Sequence, residues 1–405
     1  MEFADALSTL AIAYARSGHP DTAVSANLQA VAILDRVSTE SERLRPDVLR
    51  KCASALINLS ADLADLDRHE EAADATAQAA EIRERLAAVD LERYGPEYSR
   101  ALELLADRAE RIGRYDDAVA AADRRAQVCS ALAAADPLRH RRTLADALHM
   151  LGRRFWQAGD VSRALEVTRE AVAAYRELPE PDRGESRPYL AQALHDLAVH
   201  WAAAGAMDEA VTAAGEAVEI RRALVTEFPG EPAVADLAAS LSQLGQTYGE
   251  LGRASEGWAA VDEALALMRR ITEGAPGAYR AEVAQTLNSV GRAYARTGRV
   301  ADALPPFHEA LGIRRDLAAA DPRRYEPALA ESLHNLGTAF RASGLSAQAV
   351  PLFEEAATLY LRQAEAGTTP PRLTRTVGAL VNLLVEDGRF ADADRWIRKA
   401  VRFVV

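Results

Sequence analysis

Lysine is nearly absent from this sequence: Lys51 and Lys399 are the only two among 48 basic residues. Cysteine is as scarce, and Cys52 and Cys129 alone can build neither a disulfide framework nor a cysteine zinc cage. Aromatic residues make up 6% of the chain. There is no run of about 18 apolar residues, which excludes a membrane-spanning helix from expectation. The opening Met-Glu-Phe-Ala-Asp lacks the basic and apolar stretches of a secretory signal. Positive charge is outweighed, 48 basic against 60 acidic residues, for a net charge of -12. That balance argues against a general nucleic-acid or anionic-membrane binder, because both need a basic face against phosphate. What remains is 405 residues that are 49% hydrophobic, far too apolar for a disordered chain. The expectation is a soluble, cytoplasmic protein.

What is present is a repeat. Nine turns recur, centred on Gly18, Asp67, Gly113, Gly159, Gly205, Gly252, Gly298, Gly344 and Gly388. Successive turns lie 44 to 49 residues apart, and most intervals are 46. A fixed period of this size predicts a solenoid. Seven residues before most turns stands a small residue: Ala11, Ser60, Ala106, Gly152, Ala198, Gly245, Gly291 or Gly337. Leucine commonly precedes it by one and four positions, and an aromatic often follows by three, as at Tyr14, Phe155, Trp201, Tyr248, Tyr294 and Phe340. Five residues after each turn comes alanine, or glycine at Gly257. The apolar spacing is helical on both sides of the turn, so each repeat reads as a first helix A and a second helix B. The turn glycine supplies a left-handed cap for helix A. The small residues let the two backbones approach closely.

This pattern resembles the tetratricopeptide repeat. Repeat seven carries the signature in Leu287, Val290, Gly291, Tyr294, Gly298, Ala303, Phe307 and Ala310, and repeat eight in Leu333, Leu336, Gly337, Phe340, Gly344, Ala349, Phe353 and Ala356. The period exceeds the usual 34 residues. With Pro305, Pro306 and Pro351 early in helix B, it is similar to the longer kinesin-light-chain type, in a bacterial setting. The resemblance implies an all-α fold, a right-handed α-solenoid superhelix of about nine repeats. As a single array over 1–405, these would span 1–46, 47–95, 96–139, 140–185, 186–232, 233–278, 279–324, 325–370 and 371–405. Asp136-Pro137 and Asp321-Pro322 mark turns between repeats, and Tyr94, Tyr279 and Tyr325 are expected to pack under the incoming helix. No polar capping helix closes either end, which fits an excised piece of a longer protein, a dimer that covers an end, or an end left exposed.

Motifs of chemistry are missing. No phosphate-binding G-x-x-x-x-G-K-[ST], no strand-borne G-x-G-x-x-G, no H-E-x-x-H and no G-x-S-x-G occurs. His195 and Asp196 are adjacent on a helix and point apart, so they form no orienting pair. His149 and His195 hold equivalent positions of neighbouring repeats, but no carboxylate or cysteine is expected to complete a metal set. Neither an enzyme nor a cofactor is expected.

In the resembled family, helix A lines the concave wall. Carried onto this chain, that places His149, Met150, Arg153 and Trp156 in repeat four, Gln192, His195 and Asp196 in repeat five, and Ser242, Gln243 and Gln246 in repeat six. Gln285, Asn288, Arg292 and Arg296 follow in repeat seven, Glu331, His334, Asn335 and Arg341 in repeat eight, and Arg375 and Asn382 in repeat nine. Amides offer a donor and an acceptor to an extended peptide, and arginine a fork to a carboxylate. Asn288, Arg292, Asn335 and Arg375 are similar to the carboxylate clamp of chaperone-binding members, but its lysines are absent and its last basic position is Ala379. The resemblance therefore implies a non-catalytic scaffold for a protein or peptide. It is expected to be the sensor region of a bacterial signalling protein with a covalently linked ATPase or protease effector. A receptor that encloses a short signalling peptide is the alternative, and an enzyme a more distant one.

Overall fold

The computed structural model describes residues 2–40, 45–180, 182–274, 280–365 and 372–403. Among them are eighteen α-helices and no strand. The chain forms two compact units, Met1–Asp196 and Leu197–Val405. The first holds α1 (Glu2–Arg16), α2 (Pro20–Glu40), α3 (Arg45–Asp65), α4 (His69–Val89), α5 (Leu91–Arg111), α6 (Tyr115–Ala135), α7 (Pro137–Gln157) and α8 (Val161–Arg176). The unit boundary falls within α9 (Asp182–Ala203). The second holds α10 (Met207–Glu227), α11 (Glu231–Glu250), α12 (Ala254–Gly274), α13 (Arg280–Arg296) and α14 (Val300–Ala320). It continues with α15 (Pro322–Ala342), α16 (Ser346–Glu365), α17 (Leu373–Glu386) and α18 (Phe390–Ala400). Odd-numbered helices are A and even-numbered ones B, and consecutive helices pack side by side from α1 to α8 and from α10 to α18, as in a tetratricopeptide-type solenoid.

The turns between A and B close as the glycines predict. Eight of the nine central residues are glycines with φ between 72° and 84°. The ninth, Asp67, has φ 57° and is the one non-glycine in the left-handed region among the described residues. An L-residue there strains its Cβ against the following carbonyl, and aspartate is among the few that tolerate it. Between repeats the link is shorter still. Asp90, Asp136 and Asp321 each end one helix and cap the next, accepting from the amides of Arg93, Arg139 and Arg324 at 3.0–3.2 Å. Pro137 and Pro322 follow directly, where a missing amide costs nothing. Two 21-residue helices, a three-residue turn and this one-residue link make up the 46-residue period of α5–α6. The boundaries 95/96, 139/140 and 324/325 drawn from the sequence therefore fall inside α5, α7 and α15, a few residues past the true links. Tyr94 is buried and Tyr325 half-buried beneath Arg93 and Arg324, each 5.1 Å above its ring. Tyr279 lies outside the described residues.

Size is matched within each pair. The small residue of helix A faces the B residue sixteen later: Ser60 with Thr76, Gly152 with Thr168, Gly245 with Val261, Gly291 with Phe307 and Gly337 with Phe353. A Cβ on Gly291 would stand 2.6–2.9 Å from the Phe307 ring, so a phenylalanine on B demands glycine on A. Where A carries serine, B carries threonine, and their hydroxyls bond at 2.7 Å. Arginine recurs sixteen residues after the turn, as Arg83, Arg221 and Arg314. Each donates to a backbone carbonyl of the next A helix, those of Glu97, Asp236 and Ala328, at 2.7–2.9 Å. No helix among the described residues is long and apolar enough to cross a membrane.

Candidate functional site

The repeat period brings equivalent A-helix positions into contact. Residues 46 or 47 apart meet on neighbouring A helices, as at 107/154, 149/196, 246/292 and 288/335. In the first unit this contact is closed by acids. His149 on α7 donates through Nε2 to Asp196 on α9 at 2.9 Å, and Gln192 donates to the other oxygen at 2.9 Å. Arg153 stands 4.0 Å away. Burial works against the Asp196 charge, but the His149 hydrogen bond and the fields of His195, His149 and Arg153 outweigh it and hold the carboxyl below its usual range. A carboxylate one repeat away thus serves His149 as a hydrogen-bond acceptor. Asp196, expected on the concave wall of repeat five, bonds the histidine one repeat earlier. Its signal was the 47-residue spacing. On the same helix, buried Arg154 is gripped by Asp107 and Glu110 of α5 and bonds Gln157 at 3.2 Å. Among the described residues no three His, Cys, Asp or Glu side chains gather as a metal set.

The second unit uses the same register with fewer acids: Arg296 of α13 meets Glu250 of α11, and the other contacts are made by amides. Arg292 on α13 donates to the Gln246 amide of α11 at 2.7 Å, and Asn335 on α15 to the Asn288 amide of α13 at 3.1 Å. Arg372, just before α17, reaches back to Asn335 at 3.3 Å and to Glu331 at 3.1 Å. Beside this ladder opens a cleft of about 410 Å³. Arg292, Arg296, Arg341, Arg372 and Arg375 line it, with Asn335 and His334 among them. Its walls are apolar and small: Ala295, Val300, Phe307, Ala339, Ala342 and Ala379. No carboxylate is among its lining residues.

The five arginines are not equivalent. Arg296 is paired with Glu250, and Arg372 shares Glu331 with Arg314, which stands 3.7 Å from that carboxylate. Arg292 has an amide partner only. Burial pushes its pKa down and the nearby Arg372 adds to that, against the opposing field of Glu331. Arg341 and Arg375 are exposed and have no ion-pair partner among the described residues. His334 is 7% exposed and bonds Thr376 Oγ1 through Nδ1 at 2.8 Å. Burial, with the fields of Arg372, Arg375 and Arg341, drives its pKa down to about 4.

Of the residues expected to meet a ligand, the structure gathers Arg292, Arg296, His334, Asn335, Arg341 and Arg375 around one cleft. Asn288 is a correction: it is 0% exposed and its oxygen is taken by Asn335, so it stands behind the ladder. The clamp arrangement implied by resemblance loses that member. Gln246 and His149 are corrected likewise, being buried and already bonded to Arg292 and Asp196. Gln243 is half-buried and donates to Thr247 at 3.4 Å, Trp156 and His195 are half-buried, and Arg153 and Asn382 are exposed. Arg372 was missed. Its signal was its place one helical turn before Arg375, on the same face.

The model of the tetratricopeptide repeat family matches residues 52–90, 283–322 and 329–362. No curated protein matches the chain. Among solved structures, BtubC (BKLC) from P. vanneervenii is 24% identical over 62% of this chain and 92% of its own, with a TM-score of 0.45. The apo form of RapI is 12% identical over 79% of this chain and 100% of its own, with a TM-score of 0.51, a likeness of fold. A signal transduction ATPase with numerous domains from Pyrococcus horikoshii, which has a tetratricopeptide repeat sensor, is 12% identical. That match covers 93% of this chain and 53% of the other, with a TM-score of 0.46. The helix pairs, their glycine turns and the three matched stretches are together consistent with a tetratricopeptide-repeat protein.

Proposed function

We propose that the chain is a binding scaffold that holds an extended, anionic segment of a protein in the cleft between α13, α15 and α17. One observation carries this reading: five arginines and no carboxylate line a single cleft in a chain of net charge -12. A local positive field in a concave cleft draws and orients a negative ligand. Asn335 and the backbone-sized floor suit a peptide laid across three A helices. The role is one of recognition, that of a sensing or regulatory repeat region.

The test is fluorescence anisotropy with labelled random peptides rich in Asp and Glu, against a neutral set, at two salt concentrations. The acidic set should bind, with affinity that falls as salt rises, and Arg341→Ala/Arg375→Ala should abolish it. Equal binding of both sets, or binding indifferent to the double substitution, removes the cleft from the function.

A further inference from the structure

Resting on that reading, we propose that the cleft seats a phosphorylated side chain of the bound segment, with Arg292, Arg341 and Arg375 as its guanidinium partners. The inference starts from a count of charge. Of the five arginines, Arg296 is neutralised by Glu250 and Arg372 by Glu331. Glu331 has little left to give, since Arg314 leans on the same carboxylate. Arg292, Arg341 and Arg375 remain, one on each of α13, α15 and α17, without a carboxylate within 4 Å among the described residues. Three uncompensated cations from three successive A helices face one volume.

A carboxylate does not answer such a set. It brings one negative charge and two oxygens, so it offsets only one of three cations. A phosphate ester brings a charge of about -1.5 to -2 and three acceptor oxygens, enough to engage guanidinium groups arriving from different directions. The chain's choice of base agrees. With arginine in 46 of 48 basic positions, every cation of this cleft is a planar fork rather than an ammonium point charge.

The surroundings complete the fit. Arg292 is held by Gln246 at 2.7 Å, which aims the guanidinium without neutralising it. Its charge is desolvated and has no ion-pair partner, only the field of Glu331, a cost that a dianionic ligand offsets. His334 is kept neutral in the wall by burial and bonded to Thr376, so it neither repels nor competes. Ala295, Ala339, Ala342 and Ala379 leave room for the ester and its flanking backbone in about 410 Å³.

The test uses three synthetic peptide libraries, identical except for a fixed central residue: phosphoserine, aspartate or serine. Binding to the whole chain is read by anisotropy at physiological salt. The phosphoserine library should bind roughly tenfold or more tighter than the aspartate library, as expected when a dianion replaces a monoanion. Arg375→Ala and Arg341→Ala should each erase the preference, and both side chains are exposed, so the fold is kept. Arg375→Lys should retain only part of it, because the charge stays and the fork goes. Lowering the pH from about 7.5 to about 5 should weaken the phosphoserine library alone, since its second ionisation lies near pH 6. Equal affinity for the phosphoserine and aspartate libraries overturns this inference and leaves the anionic-segment reading standing. No excess of either over serine overturns both.

Discussion

The A helices α5, α7 and α9 and the A helices α13, α15 and α17 stack in one register and finish it differently. In the first group inner basic side chains meet acids a repeat away: Arg154 with Asp107 and Glu110, His149 with Asp196. In the second, Arg292 meets an amide, and Arg341 and Arg375 meet nothing charged. A period that juxtaposes residues 46 or 47 apart can thus be used to glue repeats together or to leave a charge waiting. The first use is a matter of stability. The second adds little to stability, because Arg341 and Arg375 stay hydrated.

Acid should break the open group first. His334 has a folded pKa near 4, below its ordinary 6.5, so the unfolded chain takes up the proton earlier as pH falls. The stability held above pH 6.5 should therefore drain away toward pH 4, by up to about 3 kcal/mol. Urea unfolding of the chain and of His334→Gln across that window should show the loss in the first and much less in the second; parallel curves would contradict it. Next comes the closed group. Arg154→Ala should cost about 2 kcal/mol, toward the low end for a broken buried pair because Asp107 and Glu110 are partly hydrated. Arg375→Ala should stay within about 0.5 kcal/mol. Equal losses in urea would erase the distinction between glue and waiting charge.

Packing gives a smaller contrast. Gly291→Ala drives a Cβ into the Phe307 ring and should cost about 1–2 kcal/mol. Gly312→Ala, mid-helix with nothing within 4 Å of the added atom, should gain about 0.5–1 kcal/mol. Thermal melts of the two should move in opposite directions. Smallest is Asp67→Gly, which relieves the one strained turn and should raise stability by about 0.5 kcal/mol. A melting temperature that falls would show that Asp67 does more than close the turn.

Turns, period and helix pairing were legible in the sequence because each rests on local chemistry. Glycine at a left-handed cap, small residues at a close crossing and i, i+3, i+4 leucines announce themselves within a few positions. The link residues were legible as Asp-Pro, but the boundaries slipped because the tyrosines that drew attention sit inside the helix the aspartate caps. The site was half legible. Arg292, Arg341 and Arg375 follow from the A-helix face, while the burial of Asn288 and the capture of His149 by Asp196 do not. Those depend on which residue stands one period away, and that pairing is invisible until the stacking distance is known.

The matched pairs within each repeat set a rule for how such a gene can be rearranged. Phe307 tolerates the glycine of its own A helix, and would collide with the Ser60 or Ala106 backbone partner of another repeat. Crossovers that fall at the single-residue links Asp90, Asp136 or Asp321 carry each lock with its key, so whole repeats can be duplicated or lost in frame. Crossovers at the glycine turns part them, and the resulting hybrids should be purged. The link, one residue long, is where this array can lengthen without relearning how to pack.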